Sequence, residues 1–276
     1  MIRSVFVALE GMPSAEVALR YAVRVARWHD ARVVMLASAQ PEEAVAPQQD
    51  AADMEFSEGE EFDDEEPTPE WPLRVADHPL VDAAASLCGQ HRVAWRAEGC
   101  AGDPRRQLAH YAARADIVTV SRRGAPGARR ELPRHAFAVL RTSARSVLVT
   151  PETYQEPQVI LVPYDRSAPS ARALSLAAET SRRSGLPISV ASVGGRAVTT
   201  ACLAEAKRYL AHYPGETEFV SRRGDPVDQV TALSFELGST MLVMGAYGRS
   251  AVRRFFAVSR TERILGGCHG PALAVR

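Results

Sequence analysis

Residues 240–276, TMLVMGAYGRSAVRRFFAVSRTERILGGCHGPALAVR, decide the fold of this chain. The apolar run Met241–Met244 has the length of a buried strand, and Gly245 and Gly248 follow at once. A basic loop comes next, then a helix expected to start at Ser259 with Thr261 and Glu262 behind it, and a last apolar strand at Ala272–Val275. Strand, glycine turn and helix N-terminus together are how an α/β sheet builds an anion site. Gly removes the Cβ that blocks close approach, and the helix end offers unpaired N–H groups with partial positive charge.

Outward from this stretch, the second half of the chain repeats the first. VILVPYDRSAPSARALSLAAE, from residue 159, mirrors VFVALEGMPSAEVALRYAVR, from residue 5: an apolar strand, an acid (Asp165 against Glu10), a Pro-Ser step and an Ala/Leu helix. Gly224-Asp225-Pro226 mirrors Gly102-Asp103-Pro104, and Gly245–Gly248 mirrors Ser121-Arg122-Arg123-Gly124. Asp as N-cap with Pro behind it is a helix-start signal, so a helix is expected after each Gly-Asp-Pro turn. Three matches in one order indicate two homologous domains, residues 1–151 and 157–276, joined by a polar, proline-flanked stretch. In the first half, strands are expected at Val5–Leu9, Arg32–Ala37, Arg92–Ala97, Asp116–Val120 and Arg145–Val149. Helices are expected at Ser14–Trp28 and near His78–Cys88. Each half thus reads as a doubly wound parallel sheet, the fold class being α/β with two such Rossmann-like domains in tandem.

The spacing Gly245, two residues, Gly248, nine residues, then Val258-Ser259 resembles the nucleotide signature of the universal stress protein family. Val258 stands where that signature has a third Gly. The tandem acids, Gly-Asp-Pro turns and loops after the fourth strands extend the resemblance over the whole chain. It implies an adenine-nucleotide (ATP) site in the second half, lined by Asp165, Val190, Met244, Gly245, Gly248, Arg249, Val258 and Ser259. It also implies a stress-response sensor without strong catalysis. The two halves are expected to pair back to back through residues 146–150 and 271–275, and a further homodimer or a protein partner stays open.

Each candidate has an ordinary structural explanation beside it. Asp165 at a strand end can serve the turn or the following cap, with Ser167 as the expected N-cap. Gly245 and Gly248 can be plain turn glycines, although Arg249, Arg253 and Arg254 stand ready to offset phosphate charge. Val258 carries a Cβ where backbone should meet phosphate, and a left-handed backbone there is costly for Val. The first-half loop has Ser121 for the first Gly and Arg134-His135 for Gly-Ser, so no ordinary nucleotide site is expected in it; its arginines read as a basic surface.

Composition narrows the classes further. Zero net charge hides thirteen Asp/Glu and no Lys or Arg between Pro41 and Leu73, so the remaining residues carry 20 acids against 33 basic residues. This proline-punctuated acidic segment reads as a disordered insertion near 40–75, either inert or able to cover the Arg-rich body. All basic residues but Lys207 are arginine. An interaction scaffold without nucleotide, or a polyanion-responsive protein gated by the insertion, are the rival readings; nucleic-acid binding is not expected. Cys88, Cys100, Cys202 and Cys268 show no CxxC pair, arguing against metal or disulfide roles and for a cytoplasmic setting. No stretch has the roughly 20 apolar residues that cross a bilayer. GxxxxGK[ST], GxGxxG and GxSxG are all missing, so no enzymatic activity is expected.

Overall fold

The computed structural model describes residues 2–9, 14–38, 79–100, 114–122, 132, 134–246 and 255–276. The acidic segment, Glu10, the first Gly-Asp-Pro turn and most of the first-half loop lie outside the described residues, and so do the expectations attached to them. The described strands are β1 (Ser4–Ala8), β2 (Arg32–Ser38), β3 (Trp95–Cys100), β4 (Ile117–Ser121), β5 (Ser146–Thr150), β6 (Val159–Pro163), β7 (Ile188–Val193), β8 (Thr217–Arg222), β9 (Thr240–Gly245) and β10 (Ala272–Val275). The described helices are α1 (Ser14–His29), α2 (Pro79–Gln90), α3 (Arg134–Thr142), α4 (Ala168–Ser184), α5 (Arg196–Leu210), α6 (Pro226–Glu236) and α7 (Phe255–Gly267).

These strands form one sheet in the order β3-β2-β1-β4-β5-β10-β9-β6-β7-β8. Within each half the order is third, second, first, fourth, fifth, and every pairing is parallel. At the centre β5 and β10 run antiparallel, with Val147, Leu148 and Val149 opposite Ala274, Leu273 and Ala272. The expected back-to-back pairing is therefore internal to the chain, and the two halves point their strand ends in opposite directions.

Strand side chains alternate between the two faces. Val5, Val7, Ile160 and Val162 join a core under α1, α2, α4 and α5, while Phe6, Ala8 and Leu161 join a second core under α3, α6 and α7. Helix α1 buries Val17, Ala18, Tyr21, Ala22 and Val25 at helical spacing, with Trp28 packed at the margin. Strand β3 begins at Trp95, later than the expected Arg92. The intervening residues finish α2 instead: Arg92 takes a left-handed backbone (φ 55°) and the Val93 N–H donates to the Cys88 carbonyl at 2.9 Å.

The linker between the halves is strapped to α1. The Tyr21 hydroxyl donates to the Gln155 carbonyl at 3.0 Å and accepts from the Gln155 N–H at 2.9 Å, and Arg24 pairs with Glu156 at 2.5 Å. Beyond the linker, His29 of α1 meets Thr180 of α4 at 3.0 Å.

Arginines close the central seam from both sides. Arg122, which follows β4, is 1% exposed, although its place in an arginine pair reads as solvated surface. Its Nη1 donates to the carbonyls of Leu265 (3.3 Å), Gly266 (3.2 Å) and Cys268 (2.5 Å), and its Nη2 to Gly270 (3.2 Å). Leu265 and Gly266 are among the carbonyls α7 leaves unbonded at its end, where partial negative charge favours a cation, and Cys268 and Gly270 lie just beyond it. In return Arg276 donates to the carbonyls of Leu140 and Arg141 at the end of α3. The expected basic surface thus loses Arg122, because helix-end carbonyls of the other half compete for it.

Candidate functional site

In an open parallel sheet the ligand crevice lies outside the carboxyl ends of the strands where the strand order reverses. In the second half that point falls between β6 and β9, which pair at Val159, Ile160 and Leu161 with Thr240, Met241 and Leu242. Asp165 follows β6 and Gly245 ends β9, so sequence positions 80 residues apart come together at one rim.

Asp165 sits in a tight turn feeding α4. Its Oδ1 accepts from the Ser167 N–H at 3.0 Å, and Ser167 is the N-cap, accepting from the Ser170 N–H at 3.2 Å. Desolvation at the sheet end would raise the Asp165 carboxyl, but hydrogen bonds from Ser167 and Ser170 outweigh it and hold the group below the ordinary range. The residue therefore stays ionised and does serve the turn. A carboxylate has about four lone-pair sites, so the Oδ1 bond from the Ser167 N–H does not by itself exhaust its capacity to accept from a ligand hydroxyl or amine.

Gly245 is fixed by space. A Cβ there would stand 2.3 Å from the carbonyl carbon of Pro169 and 2.6 Å from its Cβ. The first turn of α4 lies directly across the end of β9, which only a residue without a side chain permits. Met244, one residue earlier, is 7% exposed and packs in the second core. Val190 lies inside β7, paired with Val162, and is fully buried in the first core, so it underpins the site without reaching its surface.

Gly248 and Arg249 lie outside the described residues. Helix α7 is described from Phe255, so Ser259, the expected start, lies inside the helix. Val258 lies in α7 with a helical backbone, so the left-handed strain expected for it does not arise.

Two further residues grip the rim. The Tyr164 hydroxyl, on a side chain only 4% exposed, donates to Glu205 Oε1 at 2.6 Å, and Arg166 Nε donates to Glu205 Oε2 at 2.8 Å. Burial, then the adjoining Glu205 carboxylate, pushes the Tyr164 phenol up. The Tyr164 hydrogen bond, with help from Arg166, pulls the Glu205 carboxyl down. Nothing local in the sequence joins Glu205 to Tyr164; the contact exists because α5, packed on β7 and β8, brings Glu205 to the residue that follows β6. A groove of about 590 Å³ runs beside α5 along Arg166, Glu205, Lys207 and Arg208, but it lacks Asp165 and the glycine loop and lies off the switch point. The second Gly-Asp-Pro turn behaves as read: Asp225 caps α6 through the N–H groups of Val227 (2.9 Å) and Asp228 (3.4 Å). Among the described residues no helix is long and apolar enough to cross a membrane.

Comparison with known proteins agrees with this architecture. A universal stress protein of Synechocystis sp. is 26% identical over 168 residues, which is 58% of this chain and 58% of that relative. The crystal structure of a universal stress protein from Archaeoglobus fulgidus superposes with a TM-score of 0.69 at 15% identity, covering 99% of this chain and 98% of that one. A Pseudomonas aeruginosa structure described as a putative universal stress protein gives 0.66 at 16% identity, covering 99% and 93%. At such identities these structures speak for the fold alone. The universal stress protein family matches residues 1–151 and 194–276, and the chain belongs to that family.

Proposed function

We propose that the second half binds an adenine nucleotide of the ATP class and that the protein senses it, working in the cytoplasm without strong catalysis. The observation that carries this reading is the meeting of Asp165 and Gly245 across the switch point of β6 and β9. Asp165 would take the ribose or adenine. The Gly245–Gly248 loop and the free N–H groups of the first turn of α7 would take the phosphates, with Arg249 offsetting their charge. Purified protein in a thermal-shift assay with ATP, AMP or no ligand tests this. Nucleotide at 100 times its dissociation constant should stabilise by about 2.7 kcal/mol. Asp165→Ala and Gly248→Val should each abolish the shift, while Glu10→Ala should leave it. Equal loss from the Glu10 change would refute the assignment to the second half.

The burial of Arg122 favours a second reading, in which the protein is an interaction scaffold without nucleotide. In the first half, the position after β4 already serves the seam and not a ligand. A flat response to every nucleotide would support that reading.

A further inference from the structure

We infer that Glu205, on α5 and outside the switch point, is the positioning residue for Asp165. The inference rests on the nucleotide site proposed above. Asp165 stands between Tyr164 and Arg166, and the two oxygens of one Glu205 carboxylate hold these two neighbours at 2.6 and 2.8 Å. Tyr164 is anchored on its other side too, its N–H donating to the Ala191 carbonyl of β7 at 2.8 Å. Arg166 has φ 66°, a left-handed backbone that is rare for a residue with a Cβ and persists only where surrounding contacts enforce it. That reversal carries the Arg166 guanidinium to Glu205 on α5, while Asp165 turns to the Ser167 N–H at the start of α4.

A surface ion pair alone would hold little: the Arg166 and Glu205 side chains are 53% and 35% exposed. The Tyr164 arm changes this. Its hydroxyl sits on a buried ring and bonds an ionised carboxylate, a charge-assisted bond shorter and stronger than a neutral one. Glu205 thereby ties the end of β6 to α5 at both flanks of Asp165. It leaves the Asp165 carboxylate one orientation, set by the Ser167 N–H.

The test compares wild type, Asp165→Ala, Glu205→Ala, Glu205→Gln and Tyr164→Phe, each shown to be folded by circular dichroism. ATP affinity is measured by calorimetry, and exchange of the Ser167 amide by NMR without nucleotide. Glu205→Ala should weaken ATP binding roughly tenfold, about the worth of one charge-assisted hydrogen bond, and speed Ser167 exchange by a similar factor. Glu205→Gln keeps an acceptor for Tyr164 and should fall between Glu205→Ala and wild type. Tyr164→Phe combined with Glu205→Ala should add little to Glu205→Ala alone. A merely stabilising Glu205 would lower the melting temperature and leave affinity and Ser167 exchange unchanged, which overturns the inference. If wild type binds no ATP, or Asp165→Ala binds as well as wild type, the nucleotide reading fails. The exchange data then still decide whether Glu205 holds the turn.

Discussion

His29 carries the clearest pH dependence. It is 5% exposed, and the Thr180 hydroxyl beside it already donates to the Leu176 carbonyl at 2.8 Å. The single hydroxyl proton being spent, the imidazole must donate through Nε2, which fixes the neutral tautomer with its proton there. Burial, then the nearby Arg183, lowers the His29 pKa to about 4. The unfolded chain, near 6.5, binds the proton first, so the stabilising effect is complete above about pH 6.5 and is lost as pH falls towards 4. Chemical denaturation should show about 2 kcal/mol less stability at pH 5 than at pH 7, and His29→Gln should flatten most of that slope. An unchanged slope in the variant would place the acid sensitivity elsewhere.

At the scale of elements, the seat of α4 on β9 depends on the missing side chain at Gly245. Gly245→Ala forces a methyl group into the Pro169 backbone and should cost about 1–3 kcal/mol in equilibrium unfolding. Gly89, with no atom within 4 Å of an added Cβ and inside α2, serves as the control: Gly89→Ala should be neutral or stabilising by up to about 1 kcal/mol. A neutral Gly245→Ala would mean α4 shifts freely. Elements like these were largely legible in the sequence because period, caps and apolar runs are local signals. The Asp225-Pro226 start, the Ser167 cap and the strands flanking Gly245 each follow from neighbours within a few residues. Ser259 offers cap chemistry as a local signal, yet it lies within α7, which a local signal does not reveal. The resemblance implies Val190 as a site residue, yet its burial depends on α4 and α5 closing over β7, a tertiary matter. Glu205 and Tyr164 are 41 residues apart, and no local rule pairs them.

For the whole molecule, the two halves are joined by the β5–β10 pairing, the α1–linker strap and the two arginine clamps. Arg122→Met keeps much of the side-chain volume but strips the donors from four carbonyls. It should cost about 3 kcal/mol and separate the unfolding of the halves into two transitions under denaturant. A single transition at the wild-type midpoint would show that the remaining contacts couple the halves without Arg122. With both seam strands used internally, any further homodimer must form elsewhere; among the described residues, β3 and β8 are the strands at the sheet's edges.

The second half has Ala246 where the first has Arg122, and their N–H groups make matching bonds, to Val275 and Thr150, both at 2.9 Å. Two separate copies of one such half would carry an arginine at both places or at neither. Covalent fusion lifts that restriction, since a mutation now strikes one side of the pseudo-twofold axis alone. One copy of the loop was free to become mortar while the other kept its glycines, so duplication let a symmetric architecture divide its labour unequally.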